Sequence, residues 1–232
     1  MPYYYGFDYT YLIFCLPPLL LAMWAQYKVK STFEKYSRVA SERGMTGRDA
    51  ARLILDANGL YTVPVSQITG ELTDHFDPKD NIIRLSDPVY NVRSVAAVGV
   101  AAHEAGHAVQ HAVGYAPMKW RSALVPAANF GSRLSMPLVL LGILLSFEML
   151  AYVGVILFSA TTVFQLVTLP VELDASRRAL AALESSGLSA EGIKGTKQVL
   201  TAAALTYVAA LLTAVGNLLR LLVLVRRNDD RR

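Results

Sequence analysis

Between Leu134 and Thr168 the chain runs for 35 residues with a single charge, Glu148. A soluble domain has no place for such a run. A bilayer core about 30 Å thick, by contrast, is filled by about 20 apolar helical residues. One span would be too long, so two short helices are expected, with the turn near Ser146–Glu148. Two further blocks share this character. Tyr11–Tyr27 (YLIFCLPPLLLAMWAQY) carries no charge, and as a helix it reaches about 25 Å. Tyr3, Tyr4, Tyr5, Phe7 and Tyr9 precede it, and Trp24 and Tyr27 close it, which makes an aromatic belt at both ends. Pro17 and Pro18 should kink or break it near its middle. Val199–Val225 is interrupted by Arg220, whose charged head could snorkel to the interface.

Composition excludes the alternatives. Hydrophobic residues make up 53% and charged ones 17%, where a soluble domain carries roughly a quarter charged residues. That is too apolar for a disordered chain. Cys15 is the only cysteine, so a disulfide scaffold is excluded too. The net charge is +4, but the basic residues are scattered and lack an aromatic-basic motif, which argues against nucleic acid as a partner. Neither a positive n-region nor a small-residue cleavage site surrounds the first block, so an anchor is expected there rather than a signal peptide.

The segments therefore read as an anchor (1–27), a polar region (28–133), an apolar helical hairpin (134–169), a further helix (170–198), and a last apolar helix with a basic tail (199–232). Lys28, Lys30, Lys35 and Arg38 follow the first block and no basic residue precedes it. The positive-inside rule then places the N-terminus outside and the polar region in the cytoplasm. Four crossings would return the C-terminus to the outside. Arg226, Arg227, Arg231 and Arg232, partly offset by Asp229 and Asp230, speak against that. Either the last block does not cross fully or one middle span is misread.

Within the polar region, Thr46–Asn58 has an N-cap threonine, helical periodicity and a Gly59 stop. Thr62–Ile68 reads as a short strand that Pro64 demotes toward an edge. Leu72–Ser86 reads as a hairpin turning at Asp77–Asp80. Asn91–Val113 is then a long helix, capped by Asn91 and ended by Gly114.

That helix contains His103-Glu104-Ala105-Gly106-His107, an H-E-x-x-H pattern, and three of the four histidines fall within nine residues. Residues four apart lie one turn apart on the same helix face. Two imidazoles so placed can reach one zinc ion at about 2.0–2.1 Å. Glu104, rotated about 100° from His103, lies beside the metal, where it can take a proton from the attacking water. A catalytic zinc needs a third protein ligand and an open position. His111 stands about 12 Å along the axis from His103, so the two cannot share an ion. A place behind the ligands or on the surface suits it better. His75 in the hairpin could come close, or simply flank an exposed turn. Glu172 is the better candidate. It follows Pro170 in LPVELDASRRAL, where it is either a ligand or a first-turn Glu favoured by the helix dipole. Asp174 competes, although an ion pair with Arg178 four residues on is its simplest account.

HEAGH, followed after two apolar helices by PVELDASRRAL, resembles the bacterial membrane-bound neutral zinc metallopeptidases of the YugP-like type. More distantly it is similar to the gluzincin membrane proteases related to HtpX and the CAAX-processing Ste24 protease. The resemblance covers nearly the whole chain. It implies a mostly α membrane protein of about four transmembrane helices, with a zincin-like α+β catalytic domain in 28–133. In those gluzincins the Glu opening an E-x-x-x-D motif is the third zinc ligand, and carried over that position is Glu172. The Asp of the motif falls at Ser176, a departure that puts the relatives' hydrogen bonding behind the ligands in doubt.

The resemblance further implies hydrolysis of polypeptides, most simply by an endopeptidase of the bacterial cell membrane. One zinc ion would be held by His103, His107 and Glu172, with Glu104 as general base. A two-His, one-carboxylate set tolerates other metals as well. An extended substrate would add to an edge strand at Asn81–Leu85. Tyr207, Arg178 and His75 are the candidate oxyanion donors. Because Glu172 lies just past an apolar span, the zinc is expected near the membrane surface, and membrane proteins among the substrates. The competing readings are a non-proteolytic metal-binding scaffold or adaptor, a site-2-type intramembrane protease, and a transporter or channel. Glu104 argues against the first, the missing Asp-Gly ligand motif against the second, and the lack of an inverted repeat against the third.

Overall fold

The computed structural model describes residues 9–229. Tyr3, Tyr4, Tyr5 and Phe7 of the aromatic belt, and Asp230, Arg231 and Arg232 of the tail, lie outside the described residues. Among the described residues, four helices are long and apolar enough to cross a membrane, namely Tyr9–Ser37, Ala116–Leu144, Glu148–Ser185 and Ala190–Arg227. A small three-stranded sheet accompanies them. The protein is thus mostly α-helical and membrane-like, as the apolar runs require.

The first span is α1 (Tyr9–Phe14) and α2 (Leu16–Ser37), interrupted only at Cys15. The interruption has a simple cause. Pro17 and Pro18 have no N–H, so the carbonyls of Ile13 and Phe14 lose their partners four residues on. The helix does not stop at Tyr27 but continues to Ser37. Lys28, Lys30, Glu34 and Lys35 are straight-chain residues that favour helix even where the apolar run has ended.

Helix α3 (Gly47–Ala57) starts where expected. Thr46 and Asp49 form a reciprocal capping box, with Asp49 N–H donating to Thr46 Oγ1 at 3.1 Å and Thr46 N–H to Asp49 Oδ2 at 3.0 Å. Strands β1 (Val65–Ile68), β2 (His75–Asp77) and β3 (Ile82–Ser86) follow in the spatial order β1-β3-β2. The hairpin forms as expected, with Phe76 opposite Ile83. The strand expected at an edge, Asn81–Leu85, is instead central, because β1 pairs with it in parallel from the other side, with Val65 opposite Ile83. Parallel pairing is non-local and leaves no periodicity in sequence. Pro64, just before β1, still accepts the Ile83 N–H at 3.0 Å. The free edges are therefore β1 and β2.

A short helix, α4 (Asp87–Tyr90), precedes the long one. Asn91 ends α4 rather than capping α5 (Val95–Ala112). The cap of α5 is Ser94, whose Oγ accepts the Ala97 N–H at 3.1 Å. Helices α6 (Ala116–Leu144) and α7 (Glu148–Ser185) meet at a turn where Ser146 takes φ +55. Helix α7 runs unbroken through Pro170, so Glu172 is an interior residue and not a first-turn one. Helix α8 (Ala190–Asp229) likewise begins earlier than its apolar block.

The contacts divide the chain into two compact units. One joins 25–119 with 170–205, and the other joins the described residues of 1–24 with 120–169 and 206–232. The first has a conventional core. Ile54, Leu55, Ile83, Leu85, Val171 and Leu183 are buried around the alanine-rich α5. In the second, helices approach through small residues. A Cβ on Gly142 would lie 2.4 Å from the Ala151 nitrogen, and one on Gly216 would lie 2.0 Å from the Phe14 carbonyl oxygen, the same carbonyl that Pro18 leaves free. Close backbone approach of this kind is how helices associate in lipid.

Candidate metal centre

The site lies entirely within the first unit and is built by α5 and α7. Helical spacing places His103 and His107 one turn apart. Their rings meet edge to face with centroids 4.7 Å apart. Helix α7 brings Glu172, which is 2% exposed, against both of them. Glu172 Oε2 lies 3.1 Å from His103 Nε2 and 3.4 Å from His107 Nε2. One donor atom from each of the three residues falls within 4.8 Å of the others. Donors at about 2.0–2.1 Å from a tetrahedral zinc are themselves about 3.3 Å apart, so this set fits that ion. The remaining ring nitrogens support the fit. His103 Nδ1 meets Ser176 Oγ at 3.1 Å and His107 Nδ1 meets Gln110 Oε1 at 3.0 Å. Both Nε2 atoms are thereby left for a metal, and both rings are oriented from behind.

The glycine of HEAGH makes this approach possible. A Cβ on Gly106 would lie 2.5 Å from the Ala175 carbonyl oxygen. Any side chain there would push α7 away, and Glu172 with it.

Glu104 is buried but is not one of the three clustered donors. Its Oε2 accepts the Phe76 N–H at 2.9 Å, so it lies against the outer edge of β2. Burial disfavours a charged His107. The Glu172 hydrogen bond and the Glu104 charge outweigh it and hold the His107 pKa above the ordinary imidazole value. The pocket is thus set up to receive positive charge.

The other candidates are not brought into the donor set. His75 is exposed, with Nδ1 2.8 Å from the Thr73 carbonyl oxygen. His111 is exposed and stacks at a tilt near Phe76. Asp174 does pair with Arg178, at 2.6 Å, but it is buried rather than on the surface, and it also holds Arg177 and Gln110. Arg178 is engaged by Asp174 and lies over the Tyr115 ring, and Tyr207 belongs to the other unit. Ser176, the departure from the E-x-x-x-D pattern, supplies a hydrogen bond to His103 after all. Gln110 was not anticipated. Its signal was a lone amide between Val109 and His111, three residues after His107.

A protein family described as “Putative neutral zinc metallopeptidase” matches residues 11–226. The “Putative membrane protease YugP” of Bacillus subtilis (strain 168) is 47% identical over 221 residues, which cover 95% of this chain and 98% of that protein. No solved structure matches the chain. The length of the family match and this degree of identity show that the chain belongs to the family of neutral zinc metallopeptidases.

Proposed function

We propose that this membrane protein is an endopeptidase that cuts polypeptides at the membrane surface, with one zinc ion held by His103, His107 and Glu172 and with Glu104 as general base. The observation that carries the reading is the convergence of two histidine Nε2 atoms on Glu172 Oε2, at 3.1 and 3.4 Å, beside a carboxylate that stays out of that set. Zinc bound there supplies Lewis-acid activation of water and of the scissile carbonyl. Glu104 accepts the proton of the attacking water and passes it to the leaving amine. Ser176 and Gln110 keep the two imidazoles turned toward the ion. This three-ligand arrangement is that of a gluzincin. A structural zinc site would close with four side chains and would need no base.

The edge of β2 is the better platform for an extended substrate, since β3 is enclosed on both sides. The Phe76 N–H, now on Glu104, would place main chain lying along β2 beside the base.

Crossing parity supports a shared side for the ligands. Two apolar segments, α6 and the part of α7 before Pro170, lie between His103 and Glu172, so both would emerge on the same face. Lys28, Lys30, Lys35 and Arg38 mark that face as cytoplasmic, and the α6–α7 turn carries no Lys or Arg. The cost is that Arg226 and Arg227 fall outside. Glu172 stands three positions beyond Leu169, where the part of α7 that belongs to the apolar unit ends, which favours substrates delivered at the bilayer of a bacterial cell. Helix α5, which carries HEAGH, is not among the four spans, so a site-2-type reading has no support.

The test is metal analysis with a cleavage assay on an unfolded protein. Glu172→Gln should lose zinc. Glu104→Gln should keep zinc and lose cleavage. Full activity in Glu104→Gln would remove the assignment.

A further inference from the structure

Gln110 is fully buried in α5, and no step above uses it as a reacting group. Its amide nitrogen donates twice, to the Val171 carbonyl at 2.8 Å and to Asp174 Oδ2 at 2.9 Å. Both partners can only accept. Both amide hydrogens are therefore committed, and the orientation of the amide follows. Its oxygen must be the atom that faces His107 Nδ1 at 3.0 Å. An amide oxygen cannot donate, so Nδ1 holds the hydrogen. In the neutral imidazole that a metal requires, the lone pair is then on Nε2, the nitrogen beside Glu172.

We propose that Gln110 is a positioning residue for the zinc site. It fixes the tautomer and ring plane of His107 and is itself held in place by Asp174. This rests on the metal-site reading above. Asp174 is kept as an acceptor by Arg178 Nε at 2.6 Å and by Arg177. The opposite tautomer would set the bare Nδ1 against the amide oxygen, two acceptors face to face in a buried place. The same amide also grips α7 on both sides of Glu172, through Val171 and Asp174, so one side chain sets a ligand on each helix. His103 differs. The Ser176 hydroxyl behind it can donate or accept, and leaves that tautomer open.

The test uses the full chain in detergent, with zinc affinity measured by chelator competition. Gln110→Met should stay folded and bind zinc about 10- to 100-fold more weakly. Asp174→Ala should weaken zinc less, and should add nothing in the Gln110→Met background, because it acts through Gln110. Lowered thermal stability with unchanged zinc affinity in Gln110→Met would overturn the proposal. Should Gln110→Met fail to fold, the parent protein still decides. Nitrogen-15 histidine spectra of the zinc-loaded parent should show His107 bound to zinc through Nε2 with the hydrogen on Nδ1. Zinc on Nδ1, or an Nδ1 hydrogen that exchanges as fast as that of an exposed histidine, would overturn the role. A parent that binds no zinc sinks both this and the proposed function, whereas zinc held equally well by parent and Gln110→Met sinks this alone.

Discussion

The two units of this protein solve the same problem in opposite ways. In the unit of 25–119 and 170–205, large aliphatic side chains are turned inward, and Ile54, Leu55, Ile83 and Leu85 are lost from solvent. In the other unit many large side chains point outward, with Leu144 79%, Met149 69% and Ile156 67% exposed, while only a small cluster of Val139, Val155, Leu221 and Val225 is buried among the described residues and glycines bring helix backbones together. The hydrophobic effect drives the first arrangement. It cannot drive the second in a bilayer, where lipid tails are as apolar as leucine and helices associate through close packing. The candidate metal ligands sit in the unit with the conventional core, and one feature there borrows the other unit's device. Gly106 lets α5 and α7 approach as closely as the helices of the apolar unit do.

The largest effect should come from that shared device. Gly106→Val inserts a branched side chain where a Cβ alone would already meet the Ala175 oxygen. It should separate α5 from α7 and abolish zinc binding, read by metal analysis of the purified chain. Full zinc occupancy would show that the close approach is not needed.

A matched pair then breaks or sharpens the contrast itself. Leu85→Ala should cost about 2–5 kcal/mol in unfolding experiments. Ile156→Ala should stay within about 0.5 kcal/mol, because its side chain meets lipid in both states. Equal costs would mean that the apolar unit also keeps its large side chains against protein. Between these falls Gly142→Leu, where overpacking against Ala151 should cost about 1–3 kcal/mol. Tolerance of that change would dispose of the small-residue contact.

The smallest effect is a pH dependence. Burial is the main reason that the Asp74 pKa is raised, and the charge of Glu104 adds to it, although hydrogen bonds from Ser86 work against them. An acid whose folded pKa is raised binds its proton more tightly when folded. Its contribution to stability is present below the unfolded value near 3.8 and is lost as pH rises through the folded value. Asp74→Asn should remove that part of the slope in melting temperature against pH. An unchanged slope would show that Asp74 is not its source.

Much of this was legible in sequence because it is local. HEAGH marks a candidate ligand pair by spacing alone, Thr46 with Asp49 declares a helix start, and the turn at Ser146 follows from the length of an apolar run. What stayed hidden depends on distant partners. The central place of β3 needs β1 on its far side, and nothing in Ile82–Ser86 reports it. Pro170 looks like a helix start, yet α7 passes through it, since the packing of Val171, Ala175 and Ala179 in the core offsets the one N–H that is missing. Glu172 was a candidate despite that, and the structure places it beside His103 and His107, because the carboxylate and its distance from the apolar run do not depend on where the helix begins. Gln110 was passed over because an amide in a helix has no meaning until Val171 and Asp174 are placed beside it.

The most direct test is X-ray absorption at the zinc edge on the purified parent protein, repeated on Glu172→Gln. Two imidazole nitrogens at about 2.0–2.1 Å, with oxygen completing the shell and no sulfur, are expected for the parent, and loss of bound zinc for the variant. A parent shell with fewer or more than two imidazoles, or a shell unaltered in Glu172→Gln, would contradict the assignment of His103, His107 and Glu172 as the metal-binding set.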